Sequence, residues 1–212
     1  MTQNSTSSRR TTDEPSRRSF LKAGALASGG LTLGLSSGGI AAGQDGEDTS
    51  GGELNLADIT FLEMIAYHHR GAVELAELAP ERTDREELLD FSEMAIEMQT
   101  DEIEQIRTIF RNGGIDPGEV LDADLDDVRG LVSNIPGMPE PNELAHLRSL
   151  EGTEFDLTFI DLFTPHHRGA IILSKEVLQR GQSPEVEELA TEIIDTQKGE
   201  IIQMYQWYLN WT

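Results

Sequence analysis

Two segments, AYHHRGA at 66–72 and TPHHRGA at 164–170, hold four of the chain's five histidines. Imidazole is the commonest protein ligand for transition metals, and it binds best when a hydrogen bond on one ring nitrogen fixes the tautomer of the other. Neighbouring helix residues point about 100° apart, so His68 and His69 cannot aim at one spot. One of them can face the middle of a helical bundle while the other turns to an adjacent helix, and the same holds for His166 and His167. Two carboxylates are placed to join them. Glu102 shares a helical row with Leu88, Phe91, Ala95, Met98, Gln105 and Ile109, and Glu200 lies on the row of Val186, Leu189, Ile193 and Thr196. A lone carboxylate on an apolar face is costly. The four imidazoles with Glu102 and Glu200 therefore form a candidate site of mixed nitrogen and oxygen ligands for a divalent transition metal, with Gln99 and Gln197 nearby. The same residues can equally be a polar core, hydrogen-bonded across the halves of the molecule. Gly71 and Gly169 read as points of close packing, Arg70 and Arg168 as snorkelling or ion-paired side chains, and the methionines as core filling. His146 stands alone in the connector, as surface or core filler.

The elements that must position these groups are written twice. Shifted by 98 positions, residues 58–110 lie on 156–208 without a gap, and 16 of the 53 pairs are identical, including Asp58/Asp156, all of HHRGA, Gln99/Gln197 and Glu102/Glu200. A period that long suits two halves packed on each other better than a solenoid. In each half, apolar residues recur at steps of three and four over two segments. These predict helices from about Phe61 to Pro80, from about Glu86 to Phe110, from Phe159 to about Arg180 and from Pro184 to about Trp211. Two helical hairpins close most economically as an all-α antiparallel four-helix bundle. The connector, 111–155, reads as one or two short helices around a Pro-rich stretch.

Composition narrows the surroundings. The 212 residues carry 39 Asp and Glu against 16 Lys and Arg, a formal charge of −23, and no cysteine. So acidic a surface repels nucleic acid and anionic membrane. It is the surface expected of an acidic, halophilic protein kept soluble in high salt. The segment SRRSFLK at 16–22, followed by an uncharged Gly/Ala/Ser/Leu stretch to residue 43, resembles a twin-arginine (Tat) export signal. Residues 1–43 are thus expected to be an address, 44–57 a flexible acidic lead-in, and 58–212 the duplicated domain, with hairpins at 58–110 and 156–212. The mature protein is expected outside the cytoplasm or at the cell surface, without stable membrane insertion, and able to form a homo-oligomer.

The combination of FLEMIAYHHRGA with QTDEI, FIDLFTPHHRGA with QKGEI, and GMPEPNELAHLRSLEGTEFD between them resembles the ferritin-like family catalogued as domain of unknown function 305, over roughly residues 56–211. That resemblance implies an exported helical protein that binds or manages metal, with His68, His69, His166 and His167 as the motif positions; some relatives are similar to periplasmic copper-resistance proteins. Many relatives place Met before the His pair and a few residues after it. Here Met64 keeps the first position, but the second copy has Leu162, and the later positions are Leu75 and Leu173; Met204 is matched by Ile106. Cu(I) prefers sulfur, so the departure favours Cu(II), with Zn(II) or Fe as alternatives. The leading expectation is an exported metal-binding protein in copper or other transition-metal homeostasis. A di-metal oxidoreductase is a rival, although no diiron-type Glu-x-x-His is present and Glu74 is matched by Ile172. A non-metal structural or interaction module is the third reading.

Overall fold

In the computed structural model the described residues are 53–123, 125 and 135–212. The expected export signal and most of the acidic lead-in lie outside them, as does the middle of the connector. Among the described residues there are helices and no strand: α1 (Leu56–Ala76), a 3₁₀ turn (Ala79–Glu81), α2 (Glu86–Asn112), α3 (Gly118–Asp122), α4 (Pro141–Leu147), α5 (Gly152–Arg180) and α6 (Pro184–Trp211). The four long helices form the all-α ferritin-like bundle. α1 packs on α2, α5 packs on α6, and the hairpins join along α1 and α5. Among the described residues, no helix is long and apolar enough to cross a membrane.

Local chemistry sets the helix ends. Asn55 caps α1: its Oδ1 accepts from the Asp58 N–H and its own N–H donates to Asp58 Oδ2, both at 2.9 Å. Such reciprocal caps contribute about 1 kcal/mol. Pro80 falls in the 3₁₀ turn after α1, where its missing N–H costs little. α5 begins at Gly152, earlier than the expected start near Phe159. Its extra turns bury Phe155 and Asp156, so the apolar stripe starts before the repeat becomes visible. Pro165 sits inside α5. The carbonyl it orphans, on Asp161, belongs to the exposed side of the helix, where water can serve it.

The core falls into two apolar clusters. One joins Phe61, Leu62, Ile65, Ile106, Ile109 and Phe110 of the first half to Leu173, Val177, Val186, Leu189 and Ile193 of the second. The other joins Leu75, Leu88, Phe91 and Ala95 to Phe155, Phe159, Phe163 and Met204. The 98-residue shift maps one on the other: Phe61 on Phe159, Ile106 on Met204, Leu75 on Leu173. Each long helix thus contributes to both clusters. On each, the residues between the two contributions are polar: His68 and His69, Gln99 and Glu102, His166 and His167, Gln197 and Glu200.

Two duplicated aspartates tie each half to the other half's turn. Asp58 accepts from the backbone N–H groups of Gln182 and Ser183 at 3.2 and 3.3 Å, at the start of α6. Asp156 holds Arg85, at the start of α2, at 2.8 Å. Ser183 and Arg85 are themselves a pair in the 98-residue repeat. Arg85 also lies over the Trp211 ring, 4.1 Å from its centroid, and Trp211 stacks on Trp207 at 5.3 Å, an aromatic cap on the last helix.

Candidate metal centre

All four histidines of the repeated motif are fully buried, at 0 % exposure. His68 and His166 meet across the pseudo-twofold axis with ring centroids 3.7 Å apart. His166 Nε2–H donates to the His68 carbonyl at 2.9 Å, and His68 Nε2–H donates to the Pro136 carbonyl at 3.2 Å. His69 and His167 turn outward to α2 and α6. His167 Nε2–H donates to Glu200 Oε2 at 2.6 Å. His69 Nε2 lies 2.8 Å from Glu102 Oε2, but it is not aligned as a hydrogen bond. The carboxylates are correspondingly half-sheltered: the Glu102 side chain is 17 % exposed and that of Glu200 9 %.

These partners fix the tautomers. Carbonyls and carboxylates only accept, so the rings of His68, His166 and His167 each carry a proton on Nε2, while His69 has no aligned hydrogen bond to assign its own. In the neutral form the lone pair of these three rings is on Nδ1. All four Nδ1 atoms are buried and have no partner among the described residues, and Gln99 Oε1 and Gln197 Oε1 are buried in the same condition. A dry imidazole nitrogen without a partner costs free energy on the order of 1–3 kcal/mol, and four of them occur in one belt. Burial, then the neighbouring imidazoles, hold His68 and His166 well below the usual histidine range; for both, backbone hydrogen bonds oppose the shift without reversing it. Both rings are therefore neutral at pH 7, the form that coordinates metal. Among the described residues, no three His, Cys, Asp or Glu are already gathered as a metal-ligand set.

The connector supplies a component that the sequence reading did not include. The turn at Pro136–Met138 wedges between the two HHRGA motifs. A β-carbon on Gly169 would collide with the Pro136 carbonyl and come within 2.9 Å of His68 Nε2. On Gly71 it would meet the Met138 thioether, 2.9 Å from its sulfur, and lie 3.5 Å from His166 Nε2. Both motif glycines are close-packing points, but the connector rather than a neighbouring long helix fills the space. At Gly137, with φ +81°, a β-carbon would collide with the Pro165 carbonyl. Arg70 donates to the carbonyls of Leu121 and Ala123 at 3.3 and 2.6 Å and so holds α3 on α1. His146 is exposed on α4, away from the belt. Glu74 pairs with Arg148 at 2.7 Å, a role in holding the connector.

The model of a family described as domain of unknown function (DUF305) matches residues 58–208. Among solved structures, a DUF305 fragment from Deinococcus radiodurans is 26 % identical with a TM-score of 0.63, over 74 % of this chain and 99 % of that one. A DUF305 protein from Streptomyces coelicolor, at 23 % identity and a TM-score of 0.63 over 73 % and 92 % of the two chains, shares the fold. CopM, solved with Cu(I), is 28 % identical with a TM-score of 0.58, over 73 % of this chain and 96 % of that one; it was also solved with Cu(II) and with Ag. No curated protein sequence matches the chain.

Proposed function

The chain belongs to the DUF305 family, and from that premise we propose that it is an exported metal-binding protein of transition-metal homeostasis, with copper as the metal and His68, His69, His166, His167, Glu102 and Glu200 as the residues that hold it. The observation that carries this reading is the set of four buried Nδ1 atoms without a hydrogen-bond partner among the described residues, three of them on rings whose Nε2–H is already engaged. A bound cation would satisfy atoms that the fold otherwise leaves bare. In this reading Glu200 acts behind His167, accepting its Nε2–H and raising the basicity of Nδ1, and Glu102, 2.8 Å from His69 Nε2, takes the same part behind His69 once that ring turns into line. The connector carbonyl at Pro136 does the same for His68. The metal-bound forms of CopM support copper as the choice of cation. The twin-arginine-like segment at 16–22 supports an extracytoplasmic location.

One observation favours the second reading, a purely structural belt. Among the described residues no three ligands are gathered in advance, so binding by this set requires the imidazoles to turn. Competition titration with Cu(II), Cu(I) and Zn(II) separates the two. The first reading expects the double variants His68→Ala/His69→Ala and His166→Ala/His167→Ala each to lose affinity by tenfold or more, and Glu102→Gln or Glu200→Gln to lose less. Equal binding by wild type and both double variants would discard it. In that case the same variants should unfold at lower temperature without metal.

A further inference from the structure

The internal repeat displays one face of the bundle twice, once covered by α3 and once, among the described residues, uncovered. In the first half, α3 covers the face formed by α1 and α2. Leu121 of α3 is buried in the cluster that includes Leu62, Ala66 and Phe110, Arg70 binds the carbonyls of Leu121 and Ala123, and Arg107 pairs with Asp122 at 2.6 Å. Adding 98 to these positions gives Ile160, Thr164, Tyr208, Arg168 and Tyr205. All five line a groove of about 530 Å³ on α5 and α6. Among the described residues no segment covers it, and Arg168 is exposed where its counterpart Arg70 is engaged.

The rim changes with the covering. On α2, the positions facing outward beside α3 are Glu104, Arg107 and Arg111, which pair with one another at 3.1 to 3.7 Å. Their counterparts on α6 are Ile202, Tyr205 and Leu209, exposed by 59 %, 62 % and 59 %. Steps of three and four put them on one helical ridge, the spacing of a helix–helix seam. An exposed apolar ridge beside an apolar groove is out of place on a chain with 39 acidic residues, and such patches mark contact surfaces.

We propose that this α5/α6 face is the dimer interface of the protein, occupied by a second copy of the chain. Ridge and groove lie side by side on one face, so a single twofold axis seats each ridge in the other copy's groove and closes the assembly. The charges are self-complementary as well: Arg168 and Asp161 both border the groove, and the same axis offers each Arg168 the other copy's carboxylate. The partner's ridge takes the berth that α3 takes in the first half.

Sedimentation velocity of the purified protein over a range of concentrations, in salt high enough to screen the acidic surfaces, tests this. The expected result is a concentration-dependent dimer. Tyr205→Glu and Ile202→Glu should each weaken it by tenfold or more, and Arg168→Ala should weaken it without adding charge to the ridge. All three positions are exposed, so circular dichroism should be unchanged. Leu56→Glu, at an exposed apolar residue at the start of α1, should leave the dimer intact. A monomer throughout overturns the proposal, as does a dimer that survives Tyr205→Glu. A monomer that binds phosphatidylcholine vesicles through Tyr205 assigns the face to lipid and overturns it too.

Discussion

Among single residues, the buried imidazoles carry a consequence that needs no metal. His68 and His166 titrate well below the ordinary value of 6.5 in the folded protein, whereas in the unfolded chain each titrates near 6.5. Below that pH the unfolded chain takes up protons that the folded one refuses. The stability contributed by keeping these rings neutral is therefore complete above about 6.5 and is lost as the pH falls below it. Glu63 and Glu192 are raised by burial and act in the opposite sense, but they do so nearer the carboxylate range. Urea unfolding of the metal-free protein at about pH 7.5 and pH 5.5 should give a clearly lower midpoint at the acid value. The double variant His68→Gln/His166→Gln should flatten the difference. An acid midpoint equal to the neutral one would mean that both rings ionise without opening the fold. Metal should make the dependence steeper, since coordination competes with the same protons.

At the scale of elements, the two motif glycines should part company despite identical surroundings in sequence. Alanine at Gly169 meets a backbone carbonyl, Pro136, which cannot yield without moving the turn. Overpacking of that kind costs about 1–3 kcal/mol. Alanine at Gly71 meets the tip of Met138, a flexible side chain that can swing aside. It also gains the helix propensity of Ala over Gly, about 1 kcal/mol. Thermal melts should show Gly169→Ala clearly destabilised and Gly71→Ala near neutral or improved; equal losses would refute the wedge. The same contrast shows what the sequence could and could not reveal. The 98-residue repeat and the steps of three and four were enough to give the four long helices. Placing Glu102 and Glu200 on apolar rows was enough to set them beside the histidines, because periodicity encodes facing directly. The start of α5 lay hidden because its first turn, 152–155, precedes the repeat. The turn at 136–138 was invisible, since its position depends on the positive φ of Gly137 and on space left by glycines 30 and more residues away. The identities of Asp58 and Asp156 were visible, but their shared task, each holding the other half's turn, exists only once the halves are docked.

The whole molecule has its two apolar clusters built from both hairpins and its polar belt between them, so neither hairpin can keep a core alone. Residues 53–112 by themselves would expose Phe61, Ile106 and Leu88 and leave His68 without its partners, and should be largely unfolded by circular dichroism. The outer surface poses the opposite problem. With a formal charge of −23, self-repulsion opposes the compact state, and it meets exposed surface pairs such as Arg180 with Glu176 and Lys198 with Asp195. Exposed pairs of that type contribute little, about 0–1 kcal/mol, so they cannot offset the surplus of carboxylates. Salt can, because the screening length falls from about 10 Å at 0.1 M to about 3 Å at 1 M. Sodium chloride added from about 0.1 M to the molar range should therefore raise the melting temperature steadily, and Glu→Gln changes at exposed positions should mimic part of that gain at low salt. The belt is buried inside this screened shell, so its response should differ. Metal affinity, measured in the same series, should change much less than stability does. If affinity instead collapsed in step with rising salt, the bound ion would have to be held by surface carboxylates, and the buried histidines would be left with the structural task alone.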